Sequence, residues 1–90
     1  MVKLRLYAAL REIAGAKEVE VEGDDLTVKD ALDRFTQRFG EKARKVLFNQ
    51  EGEVWPSVLL LVNGEAAERG QETRVKSGDT VSVLLPTAGG

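Results

Sequence analysis

Hydrophobic and polar residues alternate near the start of the chain, a pattern typical of β-strands that bury one face. Val2, Leu4, Leu6 and Ala8 occupy alternate positions, and the segment 17–22 alternates valines with glutamates. Because a charged strand resists pairing with other chains, we expect the 17–22 strand to lie at a sheet edge. The two segments therefore predict a pair of neighbouring strands.

Helical periodicity is strongest over residues 27–40. Its apolar residues fall on a single helical stripe, which consists of Val28, Ala31, Leu32, Phe35 and Phe39. Thr27 with Asp30 three residues later resembles a capping box, and Gly40 is suited to end the helix. Shorter periodic segments at 9–15 and 41–48 predict two further, smaller helices.

The second half of the chain predicts the remaining strands. The run VLLLV at 58–62 is apolar on both parities, as expected of an inner strand, and Asn63-Gly64 predicts a tight turn after it. Residues 65–75 leave room for one short strand, and 77–86 predict a turn followed by the last strand. Trp55 is expected to plug one end of the core.

This order of elements predicts an α+β fold. A mixed sheet of about four to five strands covered by one main helix satisfies it, and the β-grasp roll does so best. We expect residues 1–86 to form this β-grasp domain and residues 87–90 to form a flexible tail.

Composition narrows the possible functions. The 90 residues include no Cys and no His, so thiol and imidazole chemistry and the usual soft metal ligands are absent, and we predict no metal site. A formal net charge of −2 with dispersed cations argues against direct nucleic-acid binding. The longest apolar run is too short to span a bilayer, so we expect no membrane partner. We expect the protein to be in the cytoplasm.

The C-terminal stretch LLPTAGG, residues 84–90, closes on small side chains. Ala88, Gly89 and Gly90 offer little surface to bury, and ordering each residue costs about 1–2 kcal/mol of backbone entropy. Glycines without Cβ atoms fit a narrow channel. The pattern favours a tail that is mobile in solution and is held only inside a partner.

Four segments follow one another in an order that resembles the ubiquitin-like sulfur carriers: YAALREIAG, TVKDALDRF, LVNGE and SGDTVSVLLPTAGG. The resemblance covers nearly the whole chain. It is strongest to the small subunits of molybdopterin synthase and to the small archaeal ubiquitin-like modifiers. That family often has two prolines before its tail, whereas this chain has Leu85-Pro86, which presets the exit of the tail less rigidly.

The resemblance implies a chemistry for the tail. An E1-like adenylating enzyme would bind the segment Pro86, Thr87, Ala88, Gly89 and Gly90 together with ATP, and the Gly90 carboxylate would become an acyl-adenylate. A sulfur donor would then convert the adenylate to a thiocarboxylate. The chain itself would bind no cofactor, since the activating enzyme uses the ATP.

Partner docking is expected on the solvent face of the sheet. Tyr7 and Leu84 point opposite to the core-facing residues of their strands. Leu59 and Leu61 are assigned to the same face by resemblance, because a ubiquitin-like turn at Asn63-Gly64 would place Leu61 where ubiquitin-like proteins present an apolar residue. Ala66 resembles a family contact position after that turn. The alternative is that neighbouring side chains cover these residues.

Three functions remain open. The first is sulfur donation from a Gly90 thiocarboxylate. The protein would act either as the small subunit of molybdopterin synthase, together with its large subunit, or as a carrier for tRNA thiolation. The second is a protein modifier joined through Gly90 to lysines of substrate proteins. The third is a passive β-grasp binding module whose terminal glycines have no role.

Overall fold

The computed structural model describes residues 1–85, which form a five-stranded mixed sheet, a two-stranded sheet and three α-helices. In chain order the elements are β1 (Val2–Leu6), α1 (Ala9–Ala14), β2 (Glu18–Val21), β3 (Asp25–Thr27), α2 (Val28–Phe39), α3 (Glu41–Leu47), β4 (Leu59–Val62), β5 (Glu65–Ala66), β6 (Arg74–Lys76) and β7 (Thr80–Leu84), with a 3-10 turn at Gly70–Glu72.

The large sheet has the strand order β2-β1-β7-β4-β5. β1 and β7 run parallel, and every other neighbouring pair in this sheet is antiparallel. Because the first and last strands are parallel neighbours, β1 and β7 finish at the same end of the sheet. This arrangement confirms the predicted α+β roll.

Helix α2 covers one face of the sheet and organises the core. The predicted stripe of α2 is buried except at Phe39, which is only half-buried. The ring centre of Phe39 lies 4.8 Å from that of the fully buried Phe35, and the two ring planes are tilted by 40°. The predicted capping box is present: the Asp30 N–H donates to Thr27 Oγ1 and the Thr27 N–H donates to Asp30 Oδ2. These two bonds fix where the helix begins.

Strand β2 forms the predicted charged edge of the sheet. Two arginines of α2 reach over it: Arg38 Nη1 donates to the Glu20 carbonyl at 3.2 Å, and Arg34 Nη1 donates to the Glu22 carbonyl. These carbonyls point away from β1 and would otherwise be free to pair with another strand.

The structure adds a small sheet that the sequence pattern did not predict. β3 and β6 pair antiparallel, with Leu26 opposite Val75, and both side chains are buried. Each of these strands has three residues and buries one of them, which is too short a repeat for a period-two signal. The expected short strand in 65–75 is therefore two, β5 and the start of β6.

Two expectations about single residues were wrong. Ala8 does not continue the buried face of β1, since it is exposed and has a φ of 53°. Trp55 does not plug the core, because it is 42% exposed and donates its indole N–H to the Lys45 carbonyl at 3.1 Å. Phe48 and Val54, which are joined by an isolated β-bridge, fill that end of the core instead.

None of the helices within residues 1–85 combines the length and the hydrophobicity that a membrane crossing needs.

Candidate docking face and tail

The sheet face opposite α2 carries the side chains that the sequence assigned to partner docking. Strand register places them in two neighbouring rows. Leu84 lies opposite Leu59 in one row, and Leu61 lies opposite Ala66 in the next. Tyr7 directly follows β1, whose Leu6 pairs with Val83, so Tyr7 extends the row of Leu84. We call these five residues the docking face.

Exposure within the docking face is uneven. Leu59 is 51% exposed, Ala66 is exposed, and Tyr7, Leu61 and Leu84 are half-buried. The neighbouring Val58 and Leu60 are buried in the core, so the assignment of Leu59 and Leu61 to the outer face agrees with the structure. The face therefore leaves leucine surface open to solvent at the end of β7.

The tail begins where this apolar surface lies. Leu84 is the last residue of β7, and Leu85 packs partly against the core. The predicted tail residues Pro86, Thr87, Ala88, Gly89 and Gly90 lie outside the residues that the structure describes. The docking face and the base of the tail thus share one end of the sheet.

The other end of the sheet is polar and tightly hydrogen-bonded. Asn63 Nδ2 donates to Asp79 Oδ1 at 3.0 Å, and the Lys76 N–H donates to Asp79 Oδ2 at 2.8 Å. These hydrogen bonds hold the pKa of Asp79 below its ordinary value of 3.8, and the bond from Asn63 has the largest effect. Asn63 Oδ1 also accepts from the Thr80 N–H. The network joins the turn after β4 to the turn before β7.

A concavity beside Tyr7 is the feature that sequence reasoning missed. Its volume is about 570 Å³, and the side chains that line it with Tyr7 and Leu6 are charged. They come from β1, α1 and the approach to β2: Arg5, Arg11, Lys17 and Glu18. No periodic signal joins positions 5, 11 and 17, since the antiparallel return of β2 along β1 and the start of α1 after β1 together bring them close.

Comparison with known proteins identifies the family of the chain. The ThiS family model matches residues 4–90. Small archaeal modifier protein 1 of Haloferax volcanii is 38% identical over 87 residues, which cover 96% of this chain and 97% of that protein. A protein of Archaeoglobus fulgidus with the provisional name of a sulfur carrier protein is 33% identical over 99% of this chain and 98% of its own.

A solved structure gives the same answer at the level of the fold. The BexX/CysO complex of Amycolatopsis orientalis contains a chain that superposes with a TM-score of 0.80 at 30% identity, covering 100% of both chains. Since the family model extends over almost the whole sequence and these relatives match from end to end, the chain belongs to the ThiS family of ubiquitin-like sulfur carriers and modifiers.

Proposed function

We propose that this protein carries sulfur as a thiocarboxylate on Gly90. The observation that supports it most is the apolar row of Tyr7, Leu84 and Leu59 at the end of β7. A partner seated on this row is close to the base of the tail, because the row includes the last residue of β7. Gly90 lies five residues beyond Leu85, and five residues span at most about 16–18 Å, so a partner on this row can lie within reach of Gly90. The provisional name of the Archaeoglobus fulgidus relative favours the same role.

The first chemical step is activation by an E1-like adenylating enzyme. A Gly90 carboxylate oxygen attacks the α-phosphorus of ATP, the bond to the β-phosphate breaks, and pyrophosphate leaves. The product is an acyl-adenylate. In this step the protein supplies the carboxylate and the docking face, while the enzyme binds ATP, so the protein needs no cofactor of its own. We propose that this step takes place in the cytoplasm, where ATP is available.

The second step replaces oxygen by sulfur. A donor at the oxidation level of sulfide attacks the acyl carbon of Gly90, and AMP leaves with the electron pair of the broken carbon–oxygen bond. The thiocarboxylate sulfur then bonds to a carbon of an acceptor and displaces an oxygen-linked leaving group. Water cleaves the acyl–sulfur bond, which restores the Gly90 carboxylate and leaves the sulfur on the acceptor. That acceptor is a molybdopterin precursor held by the large subunit of molybdopterin synthase, or a tRNA base held by a thiolation enzyme.

Conjugation to proteins is the second candidate function, and the name of the Haloferax volcanii relative favours it. The same Gly90 adenylate would be attacked by a lysine amine of a substrate protein, AMP would leave, and an isopeptide bond would form. Sulfur transfer and conjugation can coexist because they share the adenylate.

Intact-mass measurement tests the proposal. The protein is incubated with an E1-like enzyme from the same cell, ATP and a sulfur donor, beside a variant that lacks Gly89 and Gly90. A mass gain equal to one oxygen replaced by sulfur, absent from the shortened variant, supports sulfur carriage. An adenylate or a lysine conjugate without thiocarboxylate favours the modifier role. No change, with the enzyme active on another carrier, contradicts both.

A further inference from the structure

The concavity beside Tyr7 concentrates positive charge in a protein whose formal net charge is −2. Three cations, Arg5, Arg11 and Lys17, line it with one carboxylate, Glu18. We call this group, together with Tyr7, the cationic pocket. The net charge of the pocket is positive, whereas that of the whole chain is negative. This local excess of positive charge produces a potential that attracts anions.

The single carboxylate of the pocket is already bound. Arg5 Nε lies 3.1 Å from Glu18 Oε2, and Lys3 Nζ lies 4.0 Å from Glu18 Oε1. Arg11 and Lys17 take part in none of the ion pairs formed within residues 1–85. Two cationic groups of the pocket therefore keep charge to offer to a partner.

Arg11 is oriented by its surroundings. Its Nη2 donates to the Leu6 carbonyl at 3.3 Å, and its guanidinium lies 5.6 Å from the centre of the Tyr7 ring. These contacts reduce the side-chain freedom that binding would remove, and they leave other guanidinium N–H groups able to donate to a carboxylate. An oriented arginine is well suited to bind a carboxylate in two-point geometry.

The pocket adjoins the docking face, since Tyr7 belongs to both. It also lies at the end of the sheet where β7 finishes and the tail begins. A protein that covered Leu59 and Leu84 and received the tail would approach this pocket at its rim.

We infer that the cationic pocket binds an acidic segment of the activating enzyme, one whose Asp or Glu side chains pair with Arg11 and Lys17 beside the apolar contact. This inference rests on the proposed function, because it takes the activating enzyme as the partner. Polypeptide fits better than nucleic acid, since Glu18 lines the pocket and Glu20 follows it on the same strand, and these carboxylates would repel a continuous phosphate backbone.

Charge at the rim of an interface acts mainly on encounter. We expect the pairing to speed association, to weaken as salt rises, and to leave the chemical step unchanged. The double variant Arg11→Glu/Lys17→Glu should raise the KM for this protein in adenylation by about 10-fold or more while kcat changes little. The wild-type KM should rise with ionic strength, and the KM of the variant should not.

A matched control changes charge equally on the helical side. Lys29→Glu/Lys42→Glu alters net charge by the same amount on α2 and α3, and its KM should stay near that of the wild type. Lys17→Glu alone, which removes no side-chain hydrogen bond found in residues 1–85, serves if the double variant melts early. Equal KM values for the pocket variants and the helix variant would overturn the inference.

A second measurement is independent of the proposed function. The ¹⁵N-labelled protein is titrated with a hexaglutamate peptide and, separately, with a single-stranded hexanucleotide. Amide shifts at Arg5, Tyr7, Arg11 and Lys17 with the peptide alone support the inference. Shifts with the oligonucleotide alone, or with neither, overturn it. If the wild type forms no adenylate, the proposed function fails, while the peptide result still decides the chemistry of the pocket.

Discussion

Leu59 lies directly opposite Leu84 in the antiparallel pairing of β4 and β7, on the face of the sheet that α2 leaves open. Leu59 is 51% exposed although both strands are interior to the five-stranded sheet. An aliphatic residue exposed on the open face of a sheet gains little from folding, so we expect a partner to cover it.

Leu59→Ala should therefore weaken partner binding and spare the fold. We expect an affinity for the activating enzyme lower by about 1–2 kcal/mol, roughly 10-fold, as for a central apolar contact. The free energy of unfolding should change by less than about 0.5 kcal/mol, since exposed substitutions rarely cost more. Isothermal titration and urea denaturation measure the two quantities, and unchanged affinity would remove Leu59 from the docking face.

Leu60→Ala supplies the matched contrast, since it makes the same chemical change one residue along β4 on the opposite face. Leu60 is 7% exposed and belongs to the core. We expect it to cost about 2–5 kcal/mol of stability through lost burial and a residual cavity. Urea denaturation should show a lower midpoint with an unchanged slope. Equal stability losses at positions 59 and 60 would mean that the two faces are assigned wrongly.

Local patterns carried most of the fold prediction. The alternation in β1 and β2, the apolar stripe of α2 and the Thr27–Asp30 cap each lie within one short segment, so the sequence shows them directly. The β3–β6 pair could not be predicted in this way, because residues nearly 50 positions apart complete it.

The site was predictable in part for the same reason. Parity alone placed Tyr7 and Leu84 on the open face, whereas the apolar run around Leu59 needed the resemblance of its following turn to choose the face. The cationic pocket depends on how β2 returns beside β1 and on how α1 begins, so no single segment contains it. The prediction that Trp55 plugs the core was wrong for a different reason. Its neighbour Val54 fills the core position, which leaves the larger Trp55 side chain at the surface.

Arg34→Ala/Arg38→Ala should promote self-association. In the wild type Arg38 donates to the outward carbonyl of Glu20 on the edge strand, and Arg34 donates to the carbonyl of Glu22 just beyond it. Without them, two edge carbonyls become free to accept hydrogen bonds from another chain. Light scattering after size-exclusion chromatography should show a concentration-dependent mass increase. Arg69→Ala, remote from β2, should remain monomeric to the same extent as the wild type.

The glutamates of β2 set a limit on that effect. Their charges repel a second copy of the same strand, so self-association of the arginine variant should increase as salt screens them. A double variant as monomeric as Arg69→Ala at every salt concentration would show that the charged side chains alone protect this edge.

The Asp79 carboxylate, at the polar end of the sheet, makes the free energy of unfolding depend on pH. The hydrogen bonds from Asn63 and from the Lys76 N–H hold its pKa below 3.8, so the folded state favours the carboxylate more than the unfolded chain does. A group of this kind contributes its stability above the unfolded value of 3.8 and loses it as pH falls through the lowered folded value.

Asn63→Gly tests this without straining the backbone, because Asn63 has a φ of 52°, which glycine adopts freely. Removing the largest cause of the shift should move the pKa of Asp79 back toward 3.8. The loss of unfolding free energy between about pH 6 and about pH 3 should then be smaller in the variant than in the wild type. Urea denaturation at both pH values measures it. An identical acid dependence in the two proteins would show that the Asn63 bond does not stabilise the carboxylate.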